Sequence, residues 1–211
     1  MAGRPGSVFA PRTTPDPTDS PRTPQDGPLR DSLNKNQPED PRRDLAGPDA
    51  VTKIQEIVAA AENCFFCTTS LGTEGESGTP PARPMNVRSV DDAGRLWFLS
   101  ASDSHKNRQL ARDPHVTLYF HGTTHADFLQ LHGVATISTD RKRIESLWNP
   151  VLKTWFTEGV TDPRITVIQV TPTSGYYWDT KPGRVVAGIK MLIGAALGTT
   201  LDDSVEGTVR P

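Results

Sequence analysis

The sequence is poor in cysteine, has no long apolar run and carries no excess of charge of either sign. Each shortage removes a class of protein. Two cysteines in 211 residues cannot build a disulfide scaffold. Both lie in one β-rich stretch, Cys64-x-x-Cys67, where side chains three apart point to opposite faces. A zinc site would need two further ligands, and a thioredoxin-type pair belongs at a helix start, so no joint cysteine chemistry is expected. The longest apolar segment, Met191 to Leu197, is too short to span a bilayer and contains Gly194. Net charge is −2 with no large basic block, which argues against nucleic acid as the main partner. No glycine fingerprint follows a strand, which argues against a Rossmann site. No Ser/His/Asp arrangement or carboxylate pair is recognisable, and Asp91-Asp92 before Gly94 read as turn formers.

Aromatics are scarce at the start and proline is not. Residues 1–49 hold ten of the 19 prolines and one aromatic, Phe9. Such a stretch cannot bury enough apolar surface to offset the entropy of ordering it, so a disordered tail is expected there. It lacks the apolar core of a secretory signal. With no membrane span and few cysteines, a cytoplasmic location is the expectation.

From about residue 50 the pattern changes. Asp49 or Thr52 can cap a helix running to about Glu62, with Ile54, Ile57, Val58 and Ala61 as its apolar stripe, and Thr52 with Gln55 has capping-box spacing. Strands are expected over Cys64–Thr69, Pro81–Val90 (its prolines suit an edge), Arg95–Ser100, His115–Phe120 and Asp127–Ser138. Two more are expected over Arg164–Val170 and Gly175–Asp179. Short helices are expected after Ser104 and Asp140. His121 and His125 bracket a turn; two histidines alone leave a metal site incomplete. Residues 181–211 are Gly-rich and weakly patterned. About six antiparallel strands with intervening helices fit a mainly β fold, a barrel with helical decoration.

The chemistry concentrates in residues 83–106. Arg83-Pro84-Met85 lies on one expected strand. Arg95 to Ser100 forms the next, and it runs through Ser102 and Ser104 into a helix beginning near His105 and Lys106. Hydroxyls, helix N-terminal N–H groups and cations together make a phosphate cradle. A small phosphate-bearing cofactor lying across a sheet is the reading these residues support.

The order of these pieces resembles the pyridoxamine 5'-phosphate oxidase-like, FMN-binding split-barrel family, in its general stress protein branch. The matching pieces are Arg83-Pro-Met, Leu96-Trp-Phe-Leu-Ser100 with Ser104-His105-Lys106, and Leu131-His-Gly133-Val-Ala135 with Asp140-Arg141. Leu147-Trp148-Asn-Pro150, Trp155-Phe156-Thr-Glu-Gly159, Asp162-Pro163 and Tyr177-Trp178-Asp179 follow. The likeness spans about residues 50–180. It implies an FMN-binding split barrel over that range, a homodimer, and a cofactor at the subunit interface. Arg83 would stand near the flavin phosphate or ring edge, and Pro84, Met85 and Asn86 alongside the isoalloxazine. Ser100 and Ser104 would meet ribityl or phosphate oxygens, Lys106 the phosphate. His105 stands where the oxidases carry arginine, and Arg88 would compensate. Trp155 and Phe156 would pack over the ring. The activity implied is flavin-dependent oxidoreduction of a small molecule; the alternative is a flavin-binding or redox-sensing protein without turnover. Relatives of this barrel also hold deazaflavin or haem. The Arg-x-His stretch that binds substrate phosphate in true oxidases has no counterpart: residues 181–211 contain Arg184 and Arg210 but no histidine.

Overall fold

The structure, a computed structural model, describes residues 42–68, 82–122, 127–180 and 204–211. The first helix, α1 (Gly47–Ala61), starts after an extended Ala46, with Pro48 in its first turn where a missing N–H costs nothing. Thr52, an expected cap, instead returns its hydroxyl to the Pro48 carbonyl at 2.9 Å. The helix buries Ala50, Ile54, Ile57 and Val58, and Glu62 ends it in the left-handed region at φ 56°.

Nine strands occur among the described residues. They are β1 (Leu45–Ala46), β2 (Asn63–Thr68), β3 (Ala82–Asn86), β4 (Ser89–Val90), β5 (Leu96–Ala101), β6 (His115–His121), β7 (Phe128–Ser138), β8 (Ile165–Thr180) and β9 (Ser204–Arg210). Between them lie α2 (His105–Arg112), α3 (Arg141–Leu147) and short 3-10 turns at Pro150–Thr154 and Gly159–Thr161. Alternation sets which face is inside. In β6, Val116, Leu118 and Phe120 point inward while His115, Tyr119 and His121 are exposed.

Six antiparallel strands close on themselves. β2 pairs β6, β6 pairs β7, β7 pairs β8 and β8 pairs β5. Residues 82–90 complete the ring as one bent segment, since β3 pairs β2 and β4 pairs β5. At the bend, the Val87 N–H goes to the Glu62 carbonyl and the Arg88 N–H to the Trp97 carbonyl. The interior is filled by Phe66, Phe98, Leu96, Leu118, Leu131 and Ile168, among others, with Phe66 edge-on to Phe98 at 5.4 Å. A smaller cluster of Ile144, Leu147, Phe156, Ile165 and Val167 packs on the other face of β5, under α3.

The structure corrects several expectations. The two strands expected at Arg164–Val170 and Gly175–Asp179 are one 16-residue strand. It pairs β5 through Val170 and β9 from Gly175, and Pro172, which has no N–H to donate, sits where the partner changes. Gly175 is required there, because a Cβ would come 2.4 Å from the Gln130 carbonyl oxygen. The expected tail boundary at residue 49 also moves. Leu45 and Ala46 pair in parallel with Val209 and Arg210. The stretch 181–211 therefore contributes a strand, β9, which the weak patterning did not suggest. The remaining parts of those two segments, 1–41 and 181–203, lie outside the described residues, as does the 123–125 part of the His121–His125 turn.

Candidate functional site

The site is built around α2, an eight-residue helix with an unusual buried side. It turns Lys106, Asn107, Gln109 and Leu110 inward, so three of its four buried side chains are polar. Ser104 caps the helix by accepting the Asn107 N–H. The Asn107 amide ties this cap to the sheet. Its Oδ1 accepts from the Ser100 hydroxyl at 2.9 Å and the Ser104 hydroxyl at 3.2 Å. Its Nδ2 donates to Thr166 Oγ1 at 2.8 Å, and Thr166 donates to the Ser100 carbonyl at 2.9 Å. Ser100 and Ser104 thus spend their hydroxyl protons on Asn107.

One turn further along, Gln109 Oε1 accepts from Arg83 Nη2 at 2.8 Å and from Thr68 Oγ1 at 2.9 Å. Arg83 and Lys106, 23 positions apart in sequence, are therefore brought together. Lys106 is 7% exposed, and among the described residues its ammonium forms no hydrogen bond or ion pair. Burial, helped by the nearby Arg83 charge, lowers its pKa from 10.5 to about 8. A mostly buried lysine whose ammonium has no acceptor among the described residues, beside a guanidinium, suits an anion, because a charge moved out of water is costly until it is paired. The residues present fit a phosphate group.

The other expected site residues separate into three places. Met85 shares the inward face of β3 with Arg83 and packs against the barrel core, whereas Pro84 and Asn86 face outward. Arg88 turns away, donating from Nε to the Leu147 carbonyl at 3.0 Å and from Nη1 to Asn86 Oδ1 at 2.7 Å. His105 is exposed at the start of α2. Phe156 is 4% exposed within the cluster under α3, 6.4 Å from the Trp148 ring, so within its own chain it has no face to offer a ligand. Trp155 beside it is 63% exposed. Cys64 is buried and its pKa is pushed up to about 12 by burial, which leaves the thiol inert near neutral pH. Among the described residues, no group of three potential metal-ligating side chains converges. No helix among them is long and apolar enough to cross a membrane.

Sequence reasoning missed Thr68, Asn107, Gln109 and Thr166. A signal existed for two of them. A helix that packs but carries only Leu110 as a large apolar residue has to bury polar groups, and those groups need partners.

One end of the outward face of β2, β6, β7 and β8 exposes a cluster of aromatic side chains. Phe65 (58% exposed), Tyr119, Phe128 and Trp178 line a groove of about 810 Å³ that also reaches Pro84 and His121.

Comparison with known proteins follows the same geometry. The profile of a family described as "Pyridoxamine 5'-phosphate oxidase like" matches residues 49–202. A curated relative, Protein bli-3 of Neurospora crassa, is 28% identical over 155 residues, covering 67% of this chain and 73% of the relative. A solved structure assigned as general stress protein 26 from Jannaschia sp. CCS1 superposes with a TM-score of 0.59 at 22% identity, over 78% of this chain and all (100%) of that one. General Stress Protein 26 from Bacillus anthracis str. Sterne gives a TM-score of 0.51 at 22% identity, over 60% of this chain and 92% of that one. These neighbours share the split-barrel fold. The chain belongs to the pyridoxamine 5'-phosphate oxidase-like family.

Proposed function

We propose that this protein binds FMN, acts as a homodimer, and uses the flavin to pass hydride or electrons to a small molecule. The observation that carries the reading is the mostly buried Lys106 beside Arg83, whose ammonium has no partner among the described residues. Two cations held by a helix start and a strand suit the phosphate of a mononucleotide. Lys106 and Arg83 would hold that phosphate, with the first N–H groups of α2. The serines, fixed by Asn107, would hold the helix start rather than donate to the ligand. Bound flavin supplies the redox chemistry, and the protein binds, orients and shields it.

The exposed aromatic face supports the dimer. Phe65, Tyr119, Phe128 and Trp178 gather four exposed aromatic rings along one groove, the kind of surface that suits a partner subunit. The outward Trp155 is free to reach a neighbouring subunit, where it would cover the ring; Phe156 would support it from below.

The test is an FMN titration of purified protein, followed by heat release and identification of any chromophore. Yellow flavin bands and binding that weakens by several kcal/mol in the Arg83→Ala, Lys106→Ala double variant are expected, at about 1.5–3 kcal/mol per lost charge-assisted contact. A Soret band would replace the reading with haem, and a single near-violet band with deazaflavin. Anaerobic bleaching by NADH or NADPH, reversed by an acceptor, separates turnover from simple storage of flavin.

A further inference from the structure

We propose that Gln109 is a positioning residue that aims Arg83 at the phosphate while keeping negative charge out of the site, so that the preference for phosphorylated over unphosphorylated flavin depends on its amide being neutral. The inference rests on the FMN reading above. It adds a residue that makes no ligand contact and assigns it the charge balance of the site.

The reasoning starts from burial. Gln109 is 6% exposed, so its side chain cannot turn to water for a partner. Its Oε1 receives two donors, Arg83 Nη2 at 2.8 Å and Thr68 Oγ1 at 2.9 Å. Thr68 is itself buried at the end of β2. The amide oxygen is therefore fixed between strand and helix, and it fixes one edge of the guanidinium in turn. A guanidinium presents five N–H donors. Arg83 gives Nη2 to Gln109 and, at 3.5 Å, Nη1 to Thr68 Oγ1; both acceptors are neutral, so these contacts orient the group without adding a counter-charge. A carboxylate at the same place would accept a bidentate pair, and its charge would lie one helical turn from Lys106. The Lys106 ammonium would then have a local counter-charge and less need of an anion.

The choice of side chain matters because Gln and Glu are nearly isosteric. Replacing one by the other keeps shape and both acceptor contacts while changing charge by one unit. Lys106 has no partner for its charge among the described residues, and a neutral acceptor for Arg83 at position 109 adds no counter-charge beside it.

The experiment compares Gln109→Glu and Gln109→Met with the unaltered full chain, using riboflavin and FMN as probes. Dissociation constants for both are measured by fluorescence quenching at low salt, with thermal unfolding of each apo-protein as the control for folding. In the unaltered chain FMN binds more tightly than riboflavin, and the ratio reports the phosphate. Gln109→Glu is expected to reduce that ratio roughly ten- to a hundredfold, the worth of one strong charged contact, with riboflavin affinity unchanged. Gln109→Met, which loses the aim of Arg83 but adds no charge, is expected to reduce it by a smaller factor. An FMN-to-riboflavin ratio in folded Gln109→Glu equal to that of the unaltered chain overturns the proposal. So does an equal loss for both ligands, which would mark Gln109 as merely structural. Failure of the unaltered chain to bind either flavin would instead sink the FMN reading.

Discussion

Lys106 ought to destabilise the protein that carries it. Burial and the neighbouring Arg83 lower its pKa from 10.5 to about 8, which corresponds to a cost of about 3 kcal/mol for keeping the folded chain's ammonium charged. The sign follows from proton counts. Below about pH 8 both folded and unfolded chains carry the proton, and the folded one bears the full cost. Between about 8 and 10.5 the unfolded chain still holds a proton that the folded chain has released, so stability rises with pH. Above 10.5 both forms are neutral and the cost is gone. Lys106→Met, similar in length and apolar, removes the charge. Without ligand at pH 7 the variant is expected to be more stable than the unaltered protein by about 3 kcal/mol, with the gap closing as pH approaches 10.5. The other titrating groups are common to both proteins and cancel in the difference. Urea denaturation at a series of pH values, followed by tryptophan fluorescence, measures it directly. With saturating FMN the gap should narrow by about 1.5–3 kcal/mol, because the ligand gains its charge-assisted contact only where the ammonium remains. A ligand-free Lys106→Met protein that is less stable, or an advantage that does not vary with pH, would refute the reasoning.

Neighbouring residues should separate cleanly. Phe156→Ala is expected to cost about 3–5 kcal/mol, since it empties a packed cluster, whereas Trp155→Ala should leave the unfolding midpoint nearly unchanged and act only on flavin fluorescence or subunit association. Calorimetry of the two variants checks the contrast. Phe65→Glu, on the exposed face of β2, should leave the barrel folded and shift a dimer to monomer, read by light scattering coupled to gel filtration. A Phe65→Glu protein that stays dimeric would place the subunit contact elsewhere.

Much of the barrel was legible because the inner and outer rows alternate. Val116, Leu118 and Phe120 on β6 and Leu129 and Leu131 on β7 showed their buried face directly. The Ser104 cap and the meeting of Arg83 with Lys106 were also legible, since hydroxyl, helix start and cations carry their own chemistry. What stayed hidden was hidden for physical reasons. Strand β9 has only Val205 and Val209 as apolar positions among Glu206, Gly207 and Thr208, too few to show a period. The length of β8 was obscured by Pro172 and Gly175, which punctuate most chains but here mark a change of partner within one strand. The orientation of Phe156 against Trp155 depends on the phase of a 3-10 turn, and two adjacent aromatics give no clue to that phase. Gln109 and Asn107 were invisible because polar residues on a short helix read as solvent-facing until the packing is known.

The parallel ladder between β1 and β9 has a practical consequence. An excised fragment of residues 50–180, the range suggested by family likeness alone, would strip away both of these strands. The Tyr177 hydroxyl would lose its acceptor, the Arg43 carbonyl at 2.8 Å, and the Gly175–Asp179 edge of β8 would be left with unsatisfied amides. A bare edge of that length recruits other chains, so the trimmed fragment should precipitate where the longer protein stays dispersed.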